Sequence, residues 1–169
     1  DKLQMLNNNF AMKEPSQTMV CIENSTWVRA QYSGLLHNFV RPGALVKAKL
    51  RVDRAKNVKI IGRGYLFQPL RGVEITYSKN VTVDGITVIN PMHYTVLGGQ
   101  SKNVKINNVK SFSVRGWSDG IDLMCCQNWT INDVFLRTSD DCLAFYKHRW
   151  WYWGDSKNLK VTNTILWAD

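Results

Sequence analysis

The sequence predicts an all-β chain wound as a right-handed parallel β-helix, a solenoid of about five to six coils. Three observations carry this prediction. A short motif recurs five times, each copy sits among short runs with alternating apolar residues, and no stretch has the 3.6-residue apolar period of an amphipathic helix. The copies are AKNVKI (Ala55–Ile60), SKNVTV (Ser78–Val83), SKNVKI (Ser101–Ile106), CQNWTI (Cys126–Ile131) and SKNLKV (Ser156–Val161). Their asparagines are Asn57, Asn80, Asn103, Asn128 and Asn158.

From the N-terminus, residues 1–42 read as a segment leading into the solenoid and are the least periodic part of the chain. An R-P-G turn at Arg41–Gly43 opens the second unit, 43–169, which reads as one domain of stacked coils. GALVKAKLRVDR (Gly43–Arg54) supplies one more coil ahead of the first motif. Each later unit runs short strand, Asn turn, short strand, turn, short strand; in the second copy these are VEITYS, KN, VTVDG and ITVIN. The fifth residue after each asparagine is Gly62, Gly85, Asn108, Asp133 or Asn163, all types that tolerate left-handed backbone. A unit of ~23 residues cannot bury its inner face alone, so copies must stack at about 4.8 Å. Stacking puts each motif asparagine over the next, where amides can hydrogen-bond as a ladder. The last coil is lengthened by YKHRWWYWGD (Tyr146–Asp155), and NTILWAD ends at Asp169 with no polar cap. Further coils are therefore expected beyond Asp169.

Composition narrows the partners. With 169 residues, 44% hydrophobic and 21% charged, the chain reads as globular. It has no apolar run near the ~18 residues of a spanning helix, and DKLQMLNNNF lacks the pattern of a signal peptide. The net charge of +9 favours anionic partners, yet Lys and Arg are scattered and form no block of five. A solvated surface is the reading, with neither nucleic acid nor membrane as partner. Cys21, Cys125, Cys126 and Cys142 make no C-x-x-C, and there are three histidines, so no zinc site, metal or cofactor is expected. Buried free thiols are the simple reading; a bridge from Cys125 or Cys126 to Cys142 needs oxidising surroundings and suitable geometry. Sequons at Asn24, Asn80 and Asn128 are read as chance, because the ladder already uses two of these asparagines.

Within this frame RTSDDCLAFY (Arg137–Tyr146) sets adjacent carboxylates, Asp140 and Asp141, against apolar residues. Unpaired ionised carboxylates are costly to bury, so the pair needs a partner or a task. Superimposing WSDGIDL (Trp117–Leu123) on TSDDCLAF (Thr138–Phe145) sets Ser118 over Ser139 and Asp119 over Asp140, 140 minus 119, or 21, residues apart. Like charges so close cannot both ionise comfortably, so one pKa rises and its neighbour stays low, giving an acid and a base. Asp141 adds a third carboxylate, and Asp122 is close in sequence. Strand neighbours point to opposite faces, so showing both Asp140 and Asp141 outward requires a turn or bulge.

The pattern S-D-G-I-D…S-D-D-C-L-A-F, on five parallel coils and behind N-P-M-H-Y (Asn90–Tyr94), resembles the polygalacturonase-like family 28 of glycoside hydrolases. The related dextranase-like family 49 shares the architecture and an aspartate trio. The resemblance covers Gly43–Asp169. It implies hydrolysis of glycosidic bonds with inversion, Asp140 as the general acid that protonates the leaving oxygen, and Asp119 and Asp141 as bases that activate water. Inverting carboxyl groups stand roughly 6.5–9.5 Å apart to admit that water. The resemblance further implies a polysaccharide substrate, plant or microbial and pectic material included; an extracytoplasmic location follows from that substrate, and a monomer is expected.

The chain departs from that family in three places. Its usual N-T-D reads Trp117-Ser118-Asp119, its later G-H-G and R-I-K motifs have no counterpart, and the Tyr146–Asp155 loop is inserted. In that loop Trp150, Trp151, Tyr152 and Trp153, beside Lys147, His148 and Arg149, read either as a sugar-stacking surface with cations for acidic groups or as cover for the side of the solenoid. Lys147, His148, Arg149, Trp151 and Trp153 are the candidate substrate contacts there. His93 is a further candidate in the groove, because Tyr94 precedes Asn103 by the nine residues that separate Asp119 from Asn128. Three other readings stand beside hydrolysis. S-D-G and S-D-D are good turn sequences in their own right; a solenoid of this kind can bind glycans without cleaving them; and a polysaccharide lyase of the same fold would use Ca²⁺ and a Lys or Arg base.

Overall fold

A computed structural model describes residues 43 and 45–169 in full and, before them, the backbone of three strands, β1 (Met19–Ile22), β2 (Thr26–Arg29) and β3 (Leu36–Val40). The side chain of Cys21, the Asn24 sequon and the Arg41–Pro42 turn residues lie outside the described set. After β4 (Leu45–Val46) the chain passes five times through the same three sheets. The first pass is β5 (Leu50–Asp53), β6 (Lys56–Gly62) and β7 (Tyr65–Phe67). The second is β8 (Val73–Thr76), β9 (Lys79–Asp84) and β10 (Thr87–Ile89). The third is β11 (Tyr94–Gly99), β12 (Lys102–Asn107) and β13 (Lys110–Phe112). The fourth is β14 (Asp119–Met124), β15 (Gln127–Asn132) and β16 (Phe135–Thr138). The fifth is β17 (Leu143–Tyr146), β18 (Lys157–Thr162) and β19 (Ile165–Ala168).

Strands β5, β8, β11, β14 and β17 stack in parallel as the first sheet, with the antiparallel β1–β2 hairpin on its edge. The other two sheets run β3-β6-β9-β12-β15-β18 and β4-β7-β10-β13-β16-β19. This is the right-handed parallel β-helix that the repeat predicted, and GALVKAKLRVDR contributes β4 and β5. The stack also reaches back to β3, which pairs in parallel with β6 ahead of the expected start at 43.

The motif asparagines stack as expected. Each donates its side-chain amide to the carbonyl of the one before: Asn80 to Asn57 (2.9 Å), Asn103 to Asn80 (3.0 Å), Asn128 to Asn103 (2.9 Å) and Asn158 to Asn128 (2.9 Å). All five have left-handed backbone, with φ between 55° and 58°, a region that asparagine tolerates better than most residues. A second ladder, not foreseen, joins Asp84, Asn107 and Asn132 across the same coils.

Alternating residues fill the interior: Val58, Val81, Val104 and Trp129 form one row, Ile60, Val83, Ile106 and Ile131 another. Trp129 is far larger than the valines it continues, and Gly98 makes the room. A Cβ at Gly98 would lie 2.7 Å from Leu123 Cδ2 and 2.8 Å from the Trp129 ring. Cys125, Cys126 and Cys142 are free thiols, and burial pushes the Cys126 thiol up to about 12.

The first sheet differs from the other two because β8, β11 and β14 are buried on both faces. Val96, Ile121 and Leu123 face the central core, whereas Tyr94, Leu97, Met124, Cys125 and Tyr152 form a separate cluster. Tyr152 comes from the loop between β17 and β18. That cover decides where the functional residues lie.

Candidate active site on the outer face of the first sheet

Regular alternation would point Asp119 inward, since Ile121 two residues on is in the core. A bulge prevents this. The amides of Gly120 and Ile121 both donate to the next coil, to Asp141 O (2.8 Å) and Cys142 O (2.9 Å), where a regular parallel ladder uses every second amide. Gly120 and Ile121 thereby both face inward, and a Cβ at Gly120 would stand 2.9 Å from Leu136 Cδ1. Asp119 and Asp122, three residues apart, share the outer face.

The bulge also corrects the expected register. The ladder pairs Ile121 with Leu143 and Asp122 with Ala144, a separation of 143 minus 121, or 22, not the 21 that would set Asp119 on Asp140. The extra residue is taken up in the turn at Ser139–Cys142. There Thr138 Oγ1 donates to the Asp140 carbonyl (2.7 Å) and the Asp141 amide donates to Asp140 Oδ1 (3.0 Å). Both Asp140 and Asp141 are exposed, as a turn at this point allows. Sequence superposition slipped by one because S-D-G and S-D-D look alike locally, while the register is set by the apolar residues that follow.

Electrostatics ties the group together. Burial pushes the Asp119 carboxyl up to about 6, with the Asp140 and Asp141 charges adding to the rise. Asp122 is fully buried, neither carboxyl oxygen has a hydrogen-bond partner, and burial followed by the Asp119 charge pushes it up to about 8. Tyr94 pairs with Asp119 across the coil, its buried hydroxyl likewise lacks a partner, and burial with the Asp122 charge raises it to about 12. His93 donates nothing through Nδ1, but its carbonyl accepts from the Asp119 amide (2.8 Å). Its ring stacks on Tyr94 with centroids 3.8 Å apart. Burial, and then the Arg71 charge, hold the His93 imidazole below its usual value. Every buried side-chain polar atom left without a partner among the described residues belongs to Arg71, His93, Tyr94, Ser118 or Asp122. Buried polar groups are ordinarily satisfied, so these unpartnered atoms set this side of the first sheet apart from the rest of the described residues.

Of the residues expected at the site, Asp119, Asp140, Asp141, His93 and Arg149 lie close enough to act on one another's charge. Asp122 and Tyr94, noted in the sequence only as neighbours, and Arg71, not noted there, join them. The i, i+3 aspartates flanking Gly120 were the available signal, since glycine in a strand marks a bulge or close approach. Lys147, His148, Trp151 and Trp153 stand differently. His148 stacks on Trp153 at 3.6 Å and donates from Nε2 to the Trp150 carbonyl (3.1 Å), Trp151 meets Trp150 and Tyr152, and the Lys147 carbonyl accepts from Cys125 Sγ. These ring and hydrogen-bond contacts are within the loop, at its base or, for the Trp153 carbonyl, with Gln100 after β11, and none of them is with the carboxylates. It is Trp150 that reaches Tyr94, at 6.3 Å between centroids. No group of three or more His, Cys, Asp or Glu among the described residues is arranged to hold a metal ion.

The family model for glycosyl hydrolases family 28 matches residues 48–165, more than two thirds of the chain and the whole of the carboxylate-bearing face. The chain belongs to glycosyl hydrolases family 28. Among curated relatives, a polygalacturonase of Chamaecyparis obtusa is 34% identical over 74 residues, 43% of this chain and 14% of that protein. A polygalacturonase of Juniperus ashei is 32% identical over 74 residues, 43% of this chain and 15% of that one. The chain thus spans about a seventh of these relatives' length. Among solved structures, a chain from Parabacteroides merdae ATCC 43184, assigned as a glycosyl hydrolase, superposes with a TM-score of 0.61 at 13% identity, over 78% of this chain and 75% of that one. That likeness bears on the fold; the family 28 membership rests on the sequence model.

Proposed function

We propose that this family 28 chain hydrolyses glycosidic bonds of a polygalacturonate-like polysaccharide with inversion, through Asp119, Asp140 and Asp141. The observation that carries the reading is a buried carboxyl, Asp119, raised to about 6 by burial and by the charges of two exposed carboxyls on the next coil. A carboxyl raised to about 6 exchanges its proton close to neutral pH, the range in which acid–base work on a substrate is done. Asp140, exposed in its turn, gives its proton to the glycosidic oxygen as the bond to the anomeric carbon breaks. Asp119 and Asp141, when ionised, take a proton from the water whose oxygen forms the new bond on the opposite face. The relatives named polygalacturonase support the substrate class. A polysaccharide substrate goes with an extracytoplasmic location, and a carboxyl cluster built within one chain goes with a monomer.

Incubation of the full chain with polygalacturonate and with dextran, following reducing ends, ultraviolet absorbance and the anomer of the first product by NMR, tests this. Reducing ends without absorbance, with the inverted anomer released first, are expected from polygalacturonate. Absorbance from unsaturated sugar would make the protein a lyase, the retained anomer would remove the inverting roles, and release from dextran alone would replace the substrate.

A further inference from the structure

We propose that Arg149, carried by the loop inserted between β17 and β18, is the specificity-determining cation of the site and reads a carboxylate of an acidic sugar. This rests on the polysaccharide-hydrolase reading above and names a residue that selects within it.

The loop is built to hold Arg149 in place. Arg149 and Tyr152 form a two-way backbone bridge, Tyr152 N to Arg149 O at 3.0 Å and Arg149 N to Tyr152 O at 3.3 Å. Tyr152 is buried against Gly99, where any side chain would collide with its ring, and stands 5.6 Å from the Tyr77 ring. Gln100 Nε2 donates to the Trp153 carbonyl at 2.8 Å, fixing the far side of the bridge to the sheet. The anchors lie at the end of β11 and at the turn after β8, so the loop folds back over the coils and brings Arg149 near Asp119 and Asp122.

Its guanidinium lies over two rings, 4.2 Å from the Tyr146 centroid and 5.1 Å from that of Trp150. Cation–π contacts hold a guanidinium near aromatic rings without using its N–H donors. Among the described residues, Arg149 forms no ion pair, although it is close enough to Asp119 and Asp122 for its charge to favour their ionised forms. Arg71, the other cation beside Tyr94, is already held by Glu74, which also takes Lys49 at 3.3 Å. Arg71 keeps a buried Nε without a partner, but its charge is already matched by Glu74; among the described residues Arg149 is the cation at the site whose charge no ion pair offsets. Beneath it lie the buried, unpartnered Tyr94 hydroxyl and Asp122 carboxyl. A planar guanidinium with open donors matches a carboxylate in bidentate fashion, whereas a neutral or esterified sugar offers it no charge.

The test uses the full chain carrying Asp140→Asn, to stop turnover, with and without Arg149→Met, titrated with trigalacturonate and its methyl ester by calorimetry and by the fluorescence of the adjacent tryptophans. Arg149→Lys serves as a second variant, keeping the charge without the planar fork. The acid form should bind about 10- to 100-fold tighter than the ester, the worth of one charge-assisted pair. Arg149→Met should erase that ratio, and Arg149→Lys should keep part of it. An acid-to-ester ratio unchanged by Arg149→Met overturns the inference, while cleavage of polygalacturonate by the unmodified chain leaves the hydrolase reading standing. Absence of both saccharide binding and cleavage overturns the two together.

Discussion

Replacing Asp122 with asparagine removes an ionisable group from a position where ionisation is costly. The side chain is fully buried, both oxygens lack partners, and its pKa is raised from an ordinary 3.8 to about 8. A carboxyl whose folded value lies above its unfolded one keeps its proton longer in the folded chain. Its cost is nil below about pH 4, grows as pH rises towards 8, and is constant above that. At neutral pH the unfolded chain gains about three decades of ionisation that the folded chain forgoes, on the order of 4 kcal/mol at ~1.4 kcal/mol per decade. Relaxation and water entry reduce such penalties, so Asp122→Asn should stabilise the fold by about 1–3 kcal/mol at neutral pH. The amide meets the same lack of partners as the protonated acid, so that cost cancels. Urea unfolding followed by circular dichroism at about pH 5, 7 and 8.5, with unchanged m-value, measures the effect. The parent should lose stability from about pH 5 to 8; the variant should be nearly flat there, apart from a slope below about pH 6 from Asp119. A variant less stable than its parent at about pH 8, or a parent that gains stability over that range, would refute the reasoning. A carboxyl retained at such a cost is what a stability–function trade-off leaves at a working site.

Three further outcomes follow from the same geometry. Gly98→Ala puts a methyl 2.7–2.8 Å from Leu123 and Trp129, and the resulting strain should lower stability by about 1–3 kcal/mol, read as a shifted urea midpoint. Asn103→Ala breaks two ladder hydrogen bonds and forces alanine to φ 55°, for a loss of about 2 kcal/mol; Asn103→Gly, which accepts that φ, should lose about half as much in the same assay. If Asp119 acts as a base it must be ionised, so kcat/KM should fall on the acid side with an apparent pKa near 6, measured as a pH profile of polygalacturonate hydrolysis.

The solenoid was legible because its information is local and repeated. Each K-N step codes its own left-handed turn, V-x-I codes one inward row, and five copies make the stack unavoidable. The aspartates were legible as residues but not as an arrangement. Whether Asp119 faces in or out depends on the Gly120 bulge, and its partner depends on a one-residue register that Leu143 and Phe145 set through Ile121 and Leu123. Asp122 reads as an ordinary strand aspartate until Tyr152, some thirty residues later in sequence, covers that face of the sheet. The only local trace of that cover is the Gly98–Gly99 pair, of which Gly98 admits Trp129 from inside and Gly99 admits Tyr152 from outside. Long-range cover of this kind leaves no periodicity to read.

The measurement that bears most directly on the central claim is the rate of polygalacturonate cleavage by the full chain and by its Asp140→Asn variant, as reducing ends, with folding verified by circular dichroism. A folded variant slower by more than about a hundredfold is the predicted result, given what a positioned acid contributes. A folded Asp140→Asn variant that cleaves at the parent's rate would contradict the account and reduce Asp140 to a turn residue.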